Sequence, residues 1–179
     1  EAKCGGKSNT RTLTWGPRKA QKEAIEKILK TFQFYNKAPR LERRNIVKFL
    51  LGAKPRMGKC VTALWVSMRL KKYFQSIGVI KPMNILILTG FPDTYEEFAK
   101  IINEHQDFLG WNISRGYEGK PDGVNNVVFS TSQKLYAEDR CGKDASTWLY
   151  QQYWDVVVVD EEHHGTRTSK FKHIIDKIK

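Results

Sequence analysis

Cysteine is scarce in this chain, and what there is follows no useful pattern. The 3 cysteines stand at positions 4, 60 and 141, an odd and widely spaced set without a CxxC pair, which disfavours both a disulfide framework and a zinc site. A reducing, cytoplasmic setting is the expectation. Long apolar runs are also missing. The longest, Ile85 to Leu88 and Val156 to Val159, fall far short of the ~20 residues that a membrane-spanning helix needs, so no membrane partner is expected. Acid is in deficit as well. The 19 Asp plus Glu face 31 Lys plus Arg, a formal charge of +12, which makes a polyanion the leading partner class. No internal repeat is present, and the first residue is Glu1 rather than Met, so the true N-terminus is expected to be missing or processed.

What is present suits a folded domain. With 40% hydrophobic and 12% aromatic residues, and charge spread rather than blocked, the chain carries too much apolar material for a solvated tail. Its 179 residues allow one domain with a real core.

Apolar residues at Ala20, Ala24, Ile25, Ile28, Leu29 and Phe32 predict an amphipathic helix with Pro17 in its first turn. A basic connection leads to Ile46 to Leu51, a short apolar run that reads as a buried strand. Val61, Leu64, Trp65, Met68 and Tyr73 predict a second helix over 60–74. Strands are expected at Asn84 to Thr89, Trp111 to Ser114, Asn126 to Thr131 and Trp154 to Val159, and a helix capped by Asp93 or Thr94 buries Tyr95, Phe98, Ile101 or Ile102, and His105. Ala137 to Ser146 reads as a mobile polar loop, and Phe171, Ile174, Ile175 and Ile178 stripe a terminal helix. Strands alternating with helices call for a mostly parallel sheet covered on both faces, an α/β sandwich. Ligands then bind beyond the carboxyl ends of the strands, where the loops after Leu51, Thr89, Thr131 and Val159 should meet.

Two of those loops carry chemistry. Ala53-Lys54-Pro55-Arg56-Met57-Gly58-Lys59-Cys60 fits a phosphate-binding loop, with Ala for its first glycine and Cys for its final hydroxyl. A strand, a tight turn and a helix N-terminus would aim backbone N–H groups and the positive end of a dipole at a phosphate chain. Lys59 would reach the terminal phosphates, while the alternative is a solvated turn. The tetravaline strand ends in Asp160-Glu161-Glu162-His163, where Asp160 can hold a magnesium ion and Glu161 can deprotonate an attacking water. The alternative there is an exposed acidic turn. Adjacent His163 and His164 cannot converge on one metal ion with those carboxylates, and no HExxH spacing occurs.

On these residues the chain resembles the first motor domain of superfamily-two helicases and translocases of the DExH branch. The resemblance implies a RecA-like P-loop NTPase fold over residues 17–179, after a lead-in at 1–16. Pro17 to Ile25 looks like the family segment that recognises adenine, which implies that Gln21, with Arg18 beside it, contacts the cofactor. Residues 53–60 correspond to motif I, and the hydroxyl that the family places at Cys60 would ligate the metal. Asn84 to Gly90 is similar to the strand entering motif Ia, Val128 to Leu135 to a strand whose loop touches nucleic acid, and Asp160 to His163 to motif II. Gly90, Ser130 and Thr131 are thereby implied as nucleic-acid contacts.

Asp-Glu-Glu-His-His-Gly and Ser-Thr-Ser-Gln-Lys-Leu look most like the motor subunits of type I and type III restriction enzymes and related phage or plasmid translocases. The implied cofactors are ATP and Mg²⁺, and the implied track is nucleic acid, DNA favoured over RNA. Motif III, the second motor domain and its arginine finger lie outside these residues, so the chain alone is expected to be half an engine. Two readings stay open for His163: coupling the nucleotide site to those missing parts, or capping a helix. Trp15, Trp111 and Trp148 could stack on bases or lie in the core. Two alternatives to an ATP-driven motor stand: a basic nucleic-acid-binding module that keeps the fold without hydrolysis, with Cys60 as the sign of decay, and a small-molecule kinase.

Overall fold

The computed structural model describes residues 11–37, 51, 58–122, 125–141, 148–160 and 174–178, with 138–141 as backbone only. Helix α1 spans Lys19–Lys37 and α2 Lys59–Ser76; β1 (Met83–Thr89), α3 (Thr94–Glu104), β2 (Trp111–Arg115) and β3 (Asn125–Thr131) follow. Helices α4 (Ser132–Cys141) and α5 (Trp148–Gln151) lead into β4 (Val156–Asp160). The expected strand at 46–50 lies outside the described residues.

The four strands form one sheet in the order β2-β3-β1-β4, and every pairing is parallel. Continuous apolar runs demand cover on both faces, and β1 and β3 are covered on both, while Val157 and Val159 of β4 remain exposed among the described residues. Ile85, Ile87, Val127 and Phe129 meet α2 and α3 through Leu64, Trp65, Met68, Phe98 and Ile102, while Leu86, Leu88 and Val128 meet Leu135, Leu149 and Ile174 on the other face. The result is the three-layer α/β sandwich that the sequence predicts.

Helix α1 packs on α2 through Ile25, Ile28, Leu29 and Phe32, with Phe32 edge-on to Tyr73 and Phe74. It begins two residues later than the proline suggests: Arg18 supplies the first intrahelical carbonyl, to Lys22 N–H, so Pro17 precedes the helix. Helix α3 stops at His105, whose backbone is extended. The Arg11 guanidinium donates to the carbonyls of Ile102 and His105, where the negative end of the helix dipole favours a cation. Leu13 pairs with the same turn, and Trp15 stands edge-on to Trp65 and His105. His105 is fully buried; one ring nitrogen lies 2.6 Å from the Trp15 carbonyl oxygen and the other accepts from Asp107 N–H. The ring is therefore the neutral tautomer with its proton on Nε2.

One expectation is corrected. Ala137 to Cys141 continue α4 rather than opening a polar loop, and Leu135 and Tyr136 anchor that helix on the core beneath the sheet. The connection from β2 to β3 runs as a loop over its described residues, 116–122. It turns through a short 3₁₀ segment, Gly116–Glu118, pinned by Trp148 Nε1 donating to the Gly116 carbonyl at 2.8 Å. A Cβ on Gly116 would sit 2.8 Å from Leu149 Cδ1, so only glycine allows this approach.

Candidate functional site

Parallel pairing in register brings the strand ends to one edge. Thr89 is paired with Thr131 on one side and Asp160 on the other, so the loops after β1, β3 and β4 leave the sheet together. Thr89 is buried and its hydroxyl accepts from Phe91 N–H at 3.1 Å, which turns the chain away from β1. The Thr131 hydroxyl accepts from Lys134 N–H at 3.3 Å and does the same after β3.

The N-terminus of α2 faces this edge. Gly58 is its N-cap, in the left-handed region at φ 75 and ψ 52, with no side-chain cap on the first turn. Glycine offers no side-chain cap to the leading N–H groups of this 18-residue helix, at the positive end of its dipole. Lys59 is exposed. The Gly58 carbonyl accepts from Thr62 N–H and from the Thr62 hydroxyl, both at 3.0 Å, which locks the turn to the helix.

Gln21 joins α1 to that turn. Its Oε1 accepts from Arg18 N–H at 2.7 Å, the half of a capping box in which an N3 side chain reaches back to the N-cap, and its Nε2 donates to the Gly58 carbonyl at 3.4 Å. The side chain is buried. A residue expected to read a base thus fastens the N-terminus of α2 to α1.

Cys60 follows Lys59, half-buried against the core, and its Sγ donates to Glu97 Oε2 at 3.6 Å. Burial, then the negative charges of Asp160 and Glu97, push its thiol up to about 12. The group facing Asp160 is consequently a neutral thiol. Magnesium prefers oxygen to thiol sulfur, so the oxygen donors at this edge are the buried Asp160 carboxylate and Glu97. Among the described residues no group of three or more His, Cys, Asp or Glu converges to hold a metal ion. One buried carboxylate is a donor set that could hold Mg²⁺, which takes one or two carboxylates and completes its shell with water and substrate phosphates.

Of the expected site residues, Arg18, Gln21, Gly58, Lys59, Cys60 and Asp160 lie on the described part of this edge, as do Gly90, Ser130 and Thr131. Ala53, Lys54, Pro55, Arg56, Met57, Glu161 and His163 lie outside the described residues. The tryptophans divide. Trp111 is buried, Trp148 is half-buried and bonded to Gly116, and Trp15 packs on Trp65 while keeping part of its surface in solvent. Sequence reasoning did not single out Glu97, since nothing local marks a carboxylate that meets a cysteine 37 positions away.

A family model described as type III restriction enzyme, res subunit, matches residues 14–179. No curated protein and no solved structure matches the chain.

Proposed function

The chain belongs to the type III restriction enzyme res subunit family, a helicase-like ATP-binding motor domain, and on that premise we propose that it binds Mg-ATP at the carboxyl edge of its sheet and drives movement on nucleic acid. DNA is the favoured track and a restriction system the setting. The motor domain spans 17–179.

One observation carries the reading. Strand pairing holds Thr89 and Asp160 side by side, and Asp160 lies near enough to Cys60, in the first turn of α2, for its charge to help raise that thiol. A phosphate chain laid on the N-terminus of α2 would meet the Lys59 ammonium, with Asp160 on its far side. Gln21, beside Gly58, would read the base. Asp160 would hold Mg²⁺ through water, and Glu161, the next residue, would take the proton of the attacking water. When bound, the ion neutralises charge that develops on the transferring phosphoryl group.

Family engines close their ATP site between two motor domains, and a second RecA-like domain with its arginine finger is part of this proposal. His163 would carry the state of the nucleotide to that partner. The decayed-module reading draws on the neutral thiol of Cys60, which stands where the family has a hydroxyl. ATP turnover by the protein joined to its second motor domain separates the two, measured with DNA, with RNA and with neither. The motor reading expects DNA-stimulated turnover that Glu161→Gln abolishes while ATP binding persists. Nucleic-acid binding without turnover under any condition would favour the decayed module.

A further inference from the structure

The segment joining β2 to β3 places an exposed tyrosine between two cations on the same edge of the sheet. Tyr117 keeps 44% of its surface in solvent. The Lys134 ammonium lies 3.3 Å from the centre of its ring. Lys134 stands in the first turn of α4, and its N–H is the donor that fixes the Thr131 hydroxyl. On the other side, the Arg115 guanidinium lies 4.0 Å over the ring of Tyr95, 3.4 Å from the Tyr117 hydroxyl and 3.1 Å from Glu96 on α3. Tyr117 thus touches the loop after β3 directly and α3 through Arg115.

This arrangement is held in place. Glu118 accepts from Arg115 N–H at 2.8 Å, Trp148 pins the Gly116 carbonyl, and Gly116 sits against Leu149. Tyr95 is in turn edge-on to Phe129 of β3, 5.4 Å away. Phe91, on the loop after β1, is 41% exposed. Both cations are engaged by neighbours, Arg115 by the Glu96 carboxylate and Lys134 by the face of the Tyr117 ring. A pure phosphate clamp would leave its cations unengaged; a rigid aromatic ring offers a π-face instead.

We propose that Tyr117, braced by Lys134 and Arg115, is a stacking platform for an unpaired base, so that the track this edge grips is single-stranded. The inference rests on the nucleic-acid reading above and adds to it a base contact beyond the phosphate contacts of Gly90, Ser130 and Thr131. The wider excess of basic residues draws the backbone in, and Tyr117 distinguishes a strand whose bases are free from one whose bases are already stacked.

The test uses the chain with three fluorescent probes of equal length: oligo-dT, an abasic strand with the same phosphates and no bases, and a duplex. Stacking on one aromatic ring predicts that Tyr117→Leu weakens oligo-dT binding about tenfold and abasic binding less than twofold. Tyr117→Phe retains oligo-dT affinity, which separates loss of the ring from loss of the fold. Oligo-dT should bind the wild type more tightly than the duplex. Equal losses for oligo-dT and abasic strand, or no loss with either, would overturn the platform while leaving nucleic-acid binding intact. Failure of the wild type to bind any of the three would overturn the nucleic-acid reading and the platform with it.

Discussion

Replacing Gly58 by alanine probes the junction on which the nucleotide site depends. Gly58 sits at φ 75, where a side chain costs about 1–2 kcal/mol through contact with the following carbonyl. A Cβ there would also lie 2.7 Å from Gln21 Nε2. The amide must move several tenths of an ångström, and the Gln21 side chain is buried. Its displacement weakens the 2.7 Å bond from Arg18 N–H and the 3.4 Å bond to the Gly58 carbonyl, with a net loss of about 1–2 kcal/mol more. The sum is about 2–4 kcal/mol, or a fall in melting temperature of roughly 5–15 °C for a domain of this size.

Thermal unfolding followed by circular dichroism reads this directly, and a double-mutant cycle apportions it. In a Gln21→Ala background the steric part disappears, so Gly58→Ala should cost only its backbone share of about 1–2 kcal/mol. Two results would refute the reasoning: a Gly58→Ala protein within about 0.5 kcal/mol of wild type, or an undiminished cost when Gln21 is already alanine.

Cys60 and Gly116 test neighbouring parts of the structure. Cys60 should resist iodoacetamide at pH 9, because a pKa raised from 9.0 to about 12 cuts its thiolate fraction from about a half to roughly a thousandth; peptide mass spectrometry shows which thiols are alkylated. The same shift gives a pH dependence of known sign. The proton is held more tightly folded than unfolded, so this contribution to stability is intact below pH 9.0 and is lost as pH rises toward 12, an effect absent from Cys60→Thr in denaturant melts at stepped pH. Gly116→Ala should destabilise the fold by about 1–3 kcal/mol, since its methyl would meet Leu149 Cδ1 at 2.8 Å. Leu149→Ala in the same chain should relieve part of that added cost, which a second cycle measures.

Much of the fold was legible in the amino acids because a parallel sheet advertises itself. The runs at Ile85 to Leu88, Val127 to Phe129 and Val156 to Val159 are apolar without alternation, and helical spacing separates them. With the strands identified, their carboxyl ends had to share an edge, and the alignment of Thr89 with Thr131 and Asp160 follows. Helix α4 went unread because Ser132 to Cys141 shows little apolar periodicity, and the good helix formers Gln133, Lys134, Leu135, Ala137, Glu138 and Arg140 favour it by propensity instead. Pro17 misled by two residues, since the capping bond from Arg18 to Gln21 set the helix start.

The site was legible only where its chemistry is local. Gly58 and Lys59 follow one another, and Asp160 ends its strand, so order along the chain located them. The bond from Cys60 to Glu97 and the cluster of Tyr117 with Lys134 and Arg115 join separate elements. No spacing rule reaches across a crossover to find them. Gln21 lay between these cases: its position suggested a base reader, while its second bond, to the Gly58 carbonyl, emerged only from the packing of α1 against α2.

The account stands or falls on whether α2 and Lys59 bind a nucleotide's phosphates. Titration of Mg-ATP into wild type and Lys59→Ala, by calorimetry and with melting curves alongside, tests this most directly. Lys59 is exposed, so the mutant should melt within about 2 °C of wild type. The lost charge-assisted contact should lower its ATP affinity by at least roughly tenfold, the effect of removing about 1.5–3 kcal/mol. ATP binding by the wild type that survives Lys59→Ala unchanged, or no ATP binding by a folded wild type, would contradict the claim that this edge is a nucleotide site.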